Sequence, residues 1–345
     1  MYKLSDKRYT TLILIILLAA GTIFFSKEVT SGVYKGIYFC TEVLVPSIFP
    51  FMVISAFTAK CGLSFSGKVF NRISHLLFGI SAKTLFAVII GILGGYPVAA
   101  RGISTLYENG EISEKEAANA SYIAVGAGPG FLITFIGARL LNCIEAGVIL
   151  LISQIVSVII LGIINKIIFK KDNYNSDKEI KRTDKKLINI FTQSVSSAVY
   201  GAIEMCAVVC VFSALISISQ KYFGENDYIN ILLEVTTACS RLSASGSIVP
   251  IAFAAGFGGI SVHFQIFQAL GKIKINILLF FFYRILQGAI TASLTALLTK
   301  IFGITIPVFS GTQGDFTLGL SSSVIGSSLL ILTGICFLFS IKTTN

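Results

Sequence analysis

The sequence predicts an all-α, polytopic membrane helix bundle with two inverted pseudo-repeats and broken or re-entrant helices. Three observations lead there. Uncharged apolar runs recur along the chain, basic residues collect in one connecting segment, and Gly, Pro and Ser interrupt several of the apolar runs. Only 13% of the 345 residues are charged, and 54% are hydrophobic. Soluble domains average about 25% charged. Mean hydropathy is +0.84. This composition excludes an ordinary soluble enzyme, a disordered chain and a disulfide-stapled secreted domain. The net charge of +10 reads as cytoplasmic loops rather than as a nucleic-acid surface. The partner it implies is the lipid bilayer.

Residues 1–35 predict an extra N-terminal transmembrane helix. Lys3, Lys7 and Arg8 precede an uncharged run from Tyr9 to Ser26. No small-x-small cleavage pattern follows, so the run reads as a retained helix with its N-terminus inside. Residues 36–165 form the first repeat. It opens with an apolar segment at 36–59, which carries Glu42, Pro46 and Pro50. Residues 60–83 are more polar and basic and suit an amphipathic or cytoplasmic stretch. Residues 84–100 are uncharged and contain Gly94-Gly95-Tyr96-Pro97. Ser113-Glu-Lys-Glu116 reads as a capping box. The helix it starts meets Gly126-Ala-Gly-Pro-Gly130, which cannot hold a continuous helix. A plain span at 146–165 ends this half.

Residues 166–186 carry eight basic and four acidic residues and predict a cytoplasmic linker. Residues 187–345 form the second repeat. Glu204 lies in its first apolar run, Glu234 and Arg241 follow, and residues 242–271 hold no charge. That window is rich in Ser and Gly and predicts a broken or re-entrant segment. Residues 275–299 are apolar around Arg284, and 316–341 are uncharged. A shift of 164 residues lays Gly94-Gly95 on Gly258-Gly259, Val98 on Val262, Arg101 on Gln265 and Leu106 on Leu270. A slightly different shift brings Glu42 near Glu204. The first half starts outside after the extra helix and ends at the cytoplasmic linker, and the second half starts inside, so the halves are expected to be inverted, a plan common in secondary transporters.

The chemistry-bearing residues are few. No phosphate-binding loop, Gly-x-Ser-x-Gly elbow or His-Glu-x-x-His motif is present. No catalytic residue, cofactor or metal site is expected. The seven cysteines read as buried thiols. A charge at the bilayer centre costs about 2.5–3.5 kcal/mol and usually faces a cavity or a partner. Arg284 and Glu204 read as charges that lock helices together, and Arg139 as an interfacial snorkel. Arg241 is surrounded by Ser240, Ser243, Ser245, Gly246 and Ser247. A guanidinium, hydroxyls and a restarting helix N-terminus would bind a carboxylate or phosphate. A serine-rich packing face is the alternative. The counterpart in the first half is the break at Gly126–Gly130, with Asn119 and Ser121 before it. His263, among Ser261, Gln265 and Gln268, is a candidate intramembrane base.

Gly94-Gly-Tyr-Pro97 with Arg101, Glu116-Ala117, Gly128-Pro129, Gly258-Gly-Ile-Ser-Val-His-Phe-Gln265, Ser47-Ile-Phe-Pro-Phe51 and Glu234-Val-Thr-Thr237 stand in a fixed order. In that order they resemble the Gate, or nucleoside-recognition, domain of YlbJ-type sporulation integral membrane proteins over residues 36–300. The chain departs from that pattern at Gly126, Ala127 and Ala238. The resemblance implies a transporter of a small carboxylate, dipicolinate, across the mother-cell-derived outer forespore membrane. The residue reading and the resemblance together give as substrate-binding residues Gly94, Gly95, Pro97, Arg101, Asn119, Gly128 and Pro129 in the first half. In the second half they are Arg241, Ser243, Ser245, Ser247, Gly258, Gly259, His263 and Gln265. Glu42, Glu204 and Glu234 are the coupling candidates. A second copy or other sporulation membrane proteins are further expected partners. The alternatives are a non-transporting sporulation scaffold and a nucleoside or ion transporter.

Overall fold

A computed structural model describes residues 3–61, 68–169 and 186–304. Those residues are all-helical, without strands. Five helices are long and apolar enough to cross a membrane, or six if the pair Phe70–Phe78 and Ala82–Gly94, bent by 80°, counts as one. This is the build of an integral multi-pass membrane protein. Most of the 166–186 linker and the apolar run at 316–341 lie outside the described residues.

Helix α1 (Lys3–Phe24) leads into α2 (Ser26–Lys60). The expected boundary at 35/36 therefore falls inside a helix. Glu28, in the polar start of α2, pairs with Lys221 at 2.6 Å. Helix α2 tolerates its two prolines through a π-turn at Cys40–Leu44. Pro46 then stands in the first turn that follows, where a missing N–H costs least. Helix α3 (Phe70–Phe78) supplies the short element expected within 60–83.

Helices α4 (Ala82–Gly94) and α5 (Tyr96–Glu108) form a tight hairpin. A Cβ on Gly91 would strike Ala99, and one on Gly102 would press on Ala87, so the helices run antiparallel with small residues between them. Gly95 makes the turn at φ 89°, which favours glycine. Helix α6 (Glu114–Ile123) starts at Ser113, whose hydroxyl accepts from Glu116 N–H. The box is only half closed. The Glu116 carboxylate accepts instead from Ser81 N–H and Thr84 Oγ1, which ties α6 to the start of α4.

The chain unwinds over 124–128 and restarts as α7 (Gly130–Leu140), wound with π-helical bonds. The expected break is therefore present. Helix α8 (Ile144–Ile168) follows, packed on α7 where Gly137 meets Gly147.

Helix α9 (Leu187–Phe223) lies antiparallel to α2. Gly32 approaches Ala214, Gly36 approaches Cys210, Met52 approaches Gly201, and Lys60 donates to Gln193 O at 2.9 Å. Helices α10 (Asp227–Leu233) and α11 (Val235–Ser243) make a second, shorter hairpin. Contact between Arg241 and Asp227 at its base requires the reversal. Helices α12 (Ile248–Phe257) and α13 (Gly259–Leu270) form one span interrupted at Gly258. Helix α14 (Ile277–Phe302) runs antiparallel to α8, with Thr291 beside Ser157 and Tyr283 beside Asn165.

This arrangement corrects the 164-residue register. Gly94-Gly95 ends a helix at a hairpin turn, whereas Gly258-Gly259 interrupts a spanning helix. The two Gly-Gly pairs are therefore not equivalent positions.

Candidate functional site

Each hairpin tip meets the break in the helix that follows it. A Cβ on Gly128 would come within 3.0 Å of Gly95 N and of Leu93 O. One on Gly259 would come within 3.2 Å of Glu234 N and Val235 N. Only residues without side chains allow backbones this close. The two junctions enclose a cavity of about 50 Å³.

Its wall has contributions from both halves. Leu44, Ile48, Phe51 and Met52 of α2 face Met205 and Val209 of α9. The first tip adds Leu93, Gly94, Gly95, Tyr96 and Pro97, and the second adds Glu234, Val235 and Thr236. Gly128, Gly130 and Phe131 border the first break, and Val262 and Gln265 of α13 complete the wall. The wall is mostly apolar, with one carboxylate, one carboxamide and one threonine hydroxyl.

Glu234 is 1% exposed. Its carboxylate accepts from Thr236 N–H at 2.9 Å, from Thr237 N–H at 2.6 Å and from the Thr236 hydroxyl. It caps α11, and the positive end of that helix stabilises its charge. The starts of α5 and α7 also open on the cavity, and neither has a side-chain cap. Each uncapped start presents roughly half a positive charge. The site thus pairs one carboxylate, already engaged by its own helix, with two unneutralised helix N-termini.

Of the residues named from sequence, Gly94, Gly95, Pro97, Gly128, Gln265 and Glu234 line the cavity. Pro129 caps α7 immediately beside it. Gly258 and Gly259 form the second break behind Glu234. Asn119 is buried on α6, where its carbonyl accepts from Asn165. Ser121 bonds back to Ala117 O. His263 points away from the cavity. It accepts or donates at Nε2 with Phe257 O and is packed edge-on among Phe257, Phe280 and Phe281.

Arg241 lies outside the cavity, contrary to the expectation. It pairs with Glu225 at 2.9 Å and Asp227 at 3.1 Å, closing the base of the second hairpin. The reversal of the chain at Glu234 carries Arg241 to that base and leaves Glu234 at the tip. The guanidinium holds the Glu225 carboxyl below its usual range. Ser243 and Ser245 bond to Ser240 O and Leu242 O, and Ser247 belongs to the same turn. Arg241→Lys is therefore expected to leave solute flux within about twofold of wild type, because exposed ion pairs contribute little. A flux assay at matched membrane levels checks this.

Arg101 pairs with Glu204, both half-exposed, between α5 and α9. Arg139 donates to the backbone carbonyl of Glu42, whose own side chain faces outward. Arg284 pairs with no glutamate among the described residues and reaches the first break. Thr236 and Tyr96 were not singled out from sequence. Threonine two residues after an N-capping glutamate was the available signal for the first. Tyr96 donates to Ala255 O, a contact across 159 residues that no local pattern marks.

Compared with protein-family models, curated proteins and solved structures, the chain matches none.

Proposed function

We propose that the protein is a membrane carrier of a small carboxylate solute, which binds in the cavity between the two hairpin tips. One observation carries this reading: both hairpin tips and the first helix break converge on a single cavity, where two uncapped helix N-termini stand beside one carboxylate. Broken helices that aim N-termini at an anionic group are a recurring transporter device.

In this reading the halves are inverted repeats. Each supplies a long helix, a hairpin and a broken helix in the same order, followed by α8 or α14. The antiparallel pairings of α2 with α9 and of α8 with α14 support inversion. The resemblance to the Gate domain supports dipicolinate as the solute and the outer forespore membrane as the location. A cavity of about 50 Å³ holds roughly three or four waters. A ring with two carboxylates needs the tips to part, so transport includes their separation.

A dianion brought beside the Glu234 carboxylate meets a like charge at low dielectric, so in this reading Glu234 is the residue that couples transport to protons. A second reading, a neutral solute such as a nucleoside, draws on the same carboxylate and Gln265 as hydrogen-bonding groups beside the aromatic wall. Proteoliposomes holding only this protein test both. Labelled dipicolinate, other carboxylates and nucleosides are supplied with and without an inward proton gradient. Carboxylate uptake that rises with the gradient is expected. Uptake of nucleosides alone would favour the second reading, and no uptake of any solute would favour the scaffold.

A further inference from the structure

Arg284 on α14 is fully buried. Its guanidinium donates to Tyr122 O, to Val125 O at 3.1 Å and to Gln287 Oε1 at 2.5 Å. Gln287 Nε2 adds a second bond to Val125 O at 2.7 Å. The Phe280 ring centroid lies 5.2 Å from the guanidinium carbon. Among the described residues no carboxylate pairs with it.

The carbonyls it holds have a particular place. Tyr122 belongs to the last turn of α6, and Val125 lies in the unwound stretch. A helix C-terminus leaves carbonyls without partners and carries roughly half a negative charge. In carriers with broken helices, such ends and the unwound carbonyls beside them coordinate the coupling cation. Here those carbonyls are occupied by a side chain. Guanidinium is planar, permanently charged and rich in donors, so it can engage several carbonyls at once.

We infer that Arg284 takes the place of a coupling cation at the first break and makes the protein independent of Na⁺ and other bulk metal ions. The inference rests on the carrier reading and adds its ion coupling. A tethered cation cannot be released with the solute, so it contributes no gradient energy. It also repels a second cation from the same carbonyls. What drives transport must then be protons or the solute's own gradient.

Unfolding of the purified full chain in NaCl, KCl or choline chloride at equal ionic strength tests this without any solute. The wild-type midpoint is expected to be the same in all three salts. Arg284→Ala leaves the carbonyls bare, and Na⁺ or low-millimolar guanidinium should then raise its midpoint by at least about 3 °C. Arg284→Lys keeps a cation and should stay insensitive. A Na⁺-specific rise in wild type would overturn the inference. So would an Arg284→Ala protein that folds and responds to neither cation. Should Arg284→Ala fail to accumulate, Arg284→Gln takes its place, and the wild-type comparison still decides. In proteoliposomes, equal flux in Na⁺ and choline supports the inference, and a tenfold Na⁺ requirement refutes it. Absence of all flux with a salt-insensitive wild type would sink the carrier reading instead.

Discussion

Glu234→Ala is expected to reduce solute flux at least tenfold while the protein still reaches the membrane. Two losses coincide. The variant removes the only carboxylate that the described residues give the cavity wall, and it strips three donors at the start of α11 of their acceptor. Losing an N-cap costs about 0.5–2 kcal/mol, enough to loosen the second tip without unfolding the bundle. Losing charge-assisted hydrogen bonds costs about 1.5–3 kcal/mol, which sets the tenfold floor. Glu234→Gln separates the two effects. The carboxamide oxygen keeps one acceptor for the helix start, but the group no longer takes up a proton. Residual flux in Glu234→Gln should therefore lose its dependence on the proton gradient. Gradient-dependent uptake that persists in Glu234→Gln would remove Glu234 from the coupling role.

Gly128→Val is expected to abolish transport by forcing the first hairpin tip away from the first break. The new Cβ would meet Gly95 N and Leu93 O at 3.0 Å. Both are backbone atoms, so neither can swing aside as a flexible side chain would. Overpacking of this kind costs about 1–3 kcal/mol, and the strain falls on the junction that closes the cavity. Packing between α7 and α8, which rests on Gly137 and Gly147, is untouched, so the protein should still accumulate. Gly21→Ala is the control, because nothing lies within 4 Å of the added Cβ. Flux measured at matched membrane levels checks the pair. A Gly128→Val protein with normal flux would show that the tip and the break need not touch.

The helix breaks were legible because their causes are local. Three glycines and a proline within Gly126–Gly130 cannot sustain a helix, and the chain is unwound over 124–128. The Ser- and Gly-rich window 242–271 reads as broken for the same reason, and α12 gives way to α13 at Gly258 within it. The membrane class was legible from uncharged runs alone, since a helix satisfies its own backbone in lipid wherever its neighbours lie. The resemblance names Gly94, Gly95, Pro97, Gly128 and Gln265, and all five line the cavity.

What local sequence leaves open is the direction in which a break turns the chain. Gly94-Gly95 and Gly258-Gly259 look alike, but the first folds α4 back on α5 because Ala87, Gly91, Ala99 and Gly102 pack face to face. The second stays within one span, with Gly256 of α12 packed against Gly288 of α14 instead. The placement of charge depended on the same long-range contacts. The serines around Arg241 suggested a binding site, yet the hairpin sends Arg241 to Glu225 and Asp227 at its base and leaves Glu234 at the tip. Arg284 looked like one half of an ion pair, yet it lies against carbonyls about 160 residues away in sequence that only the unwinding of α6 exposes. The sequence by itself determined the membrane-embedded helices and where they break, because hydropathy and backbone freedom are properties of short segments. Only the tertiary structure decided which charges face the cavity, because a charge takes the partner that folding brings near it, not the one beside it in sequence.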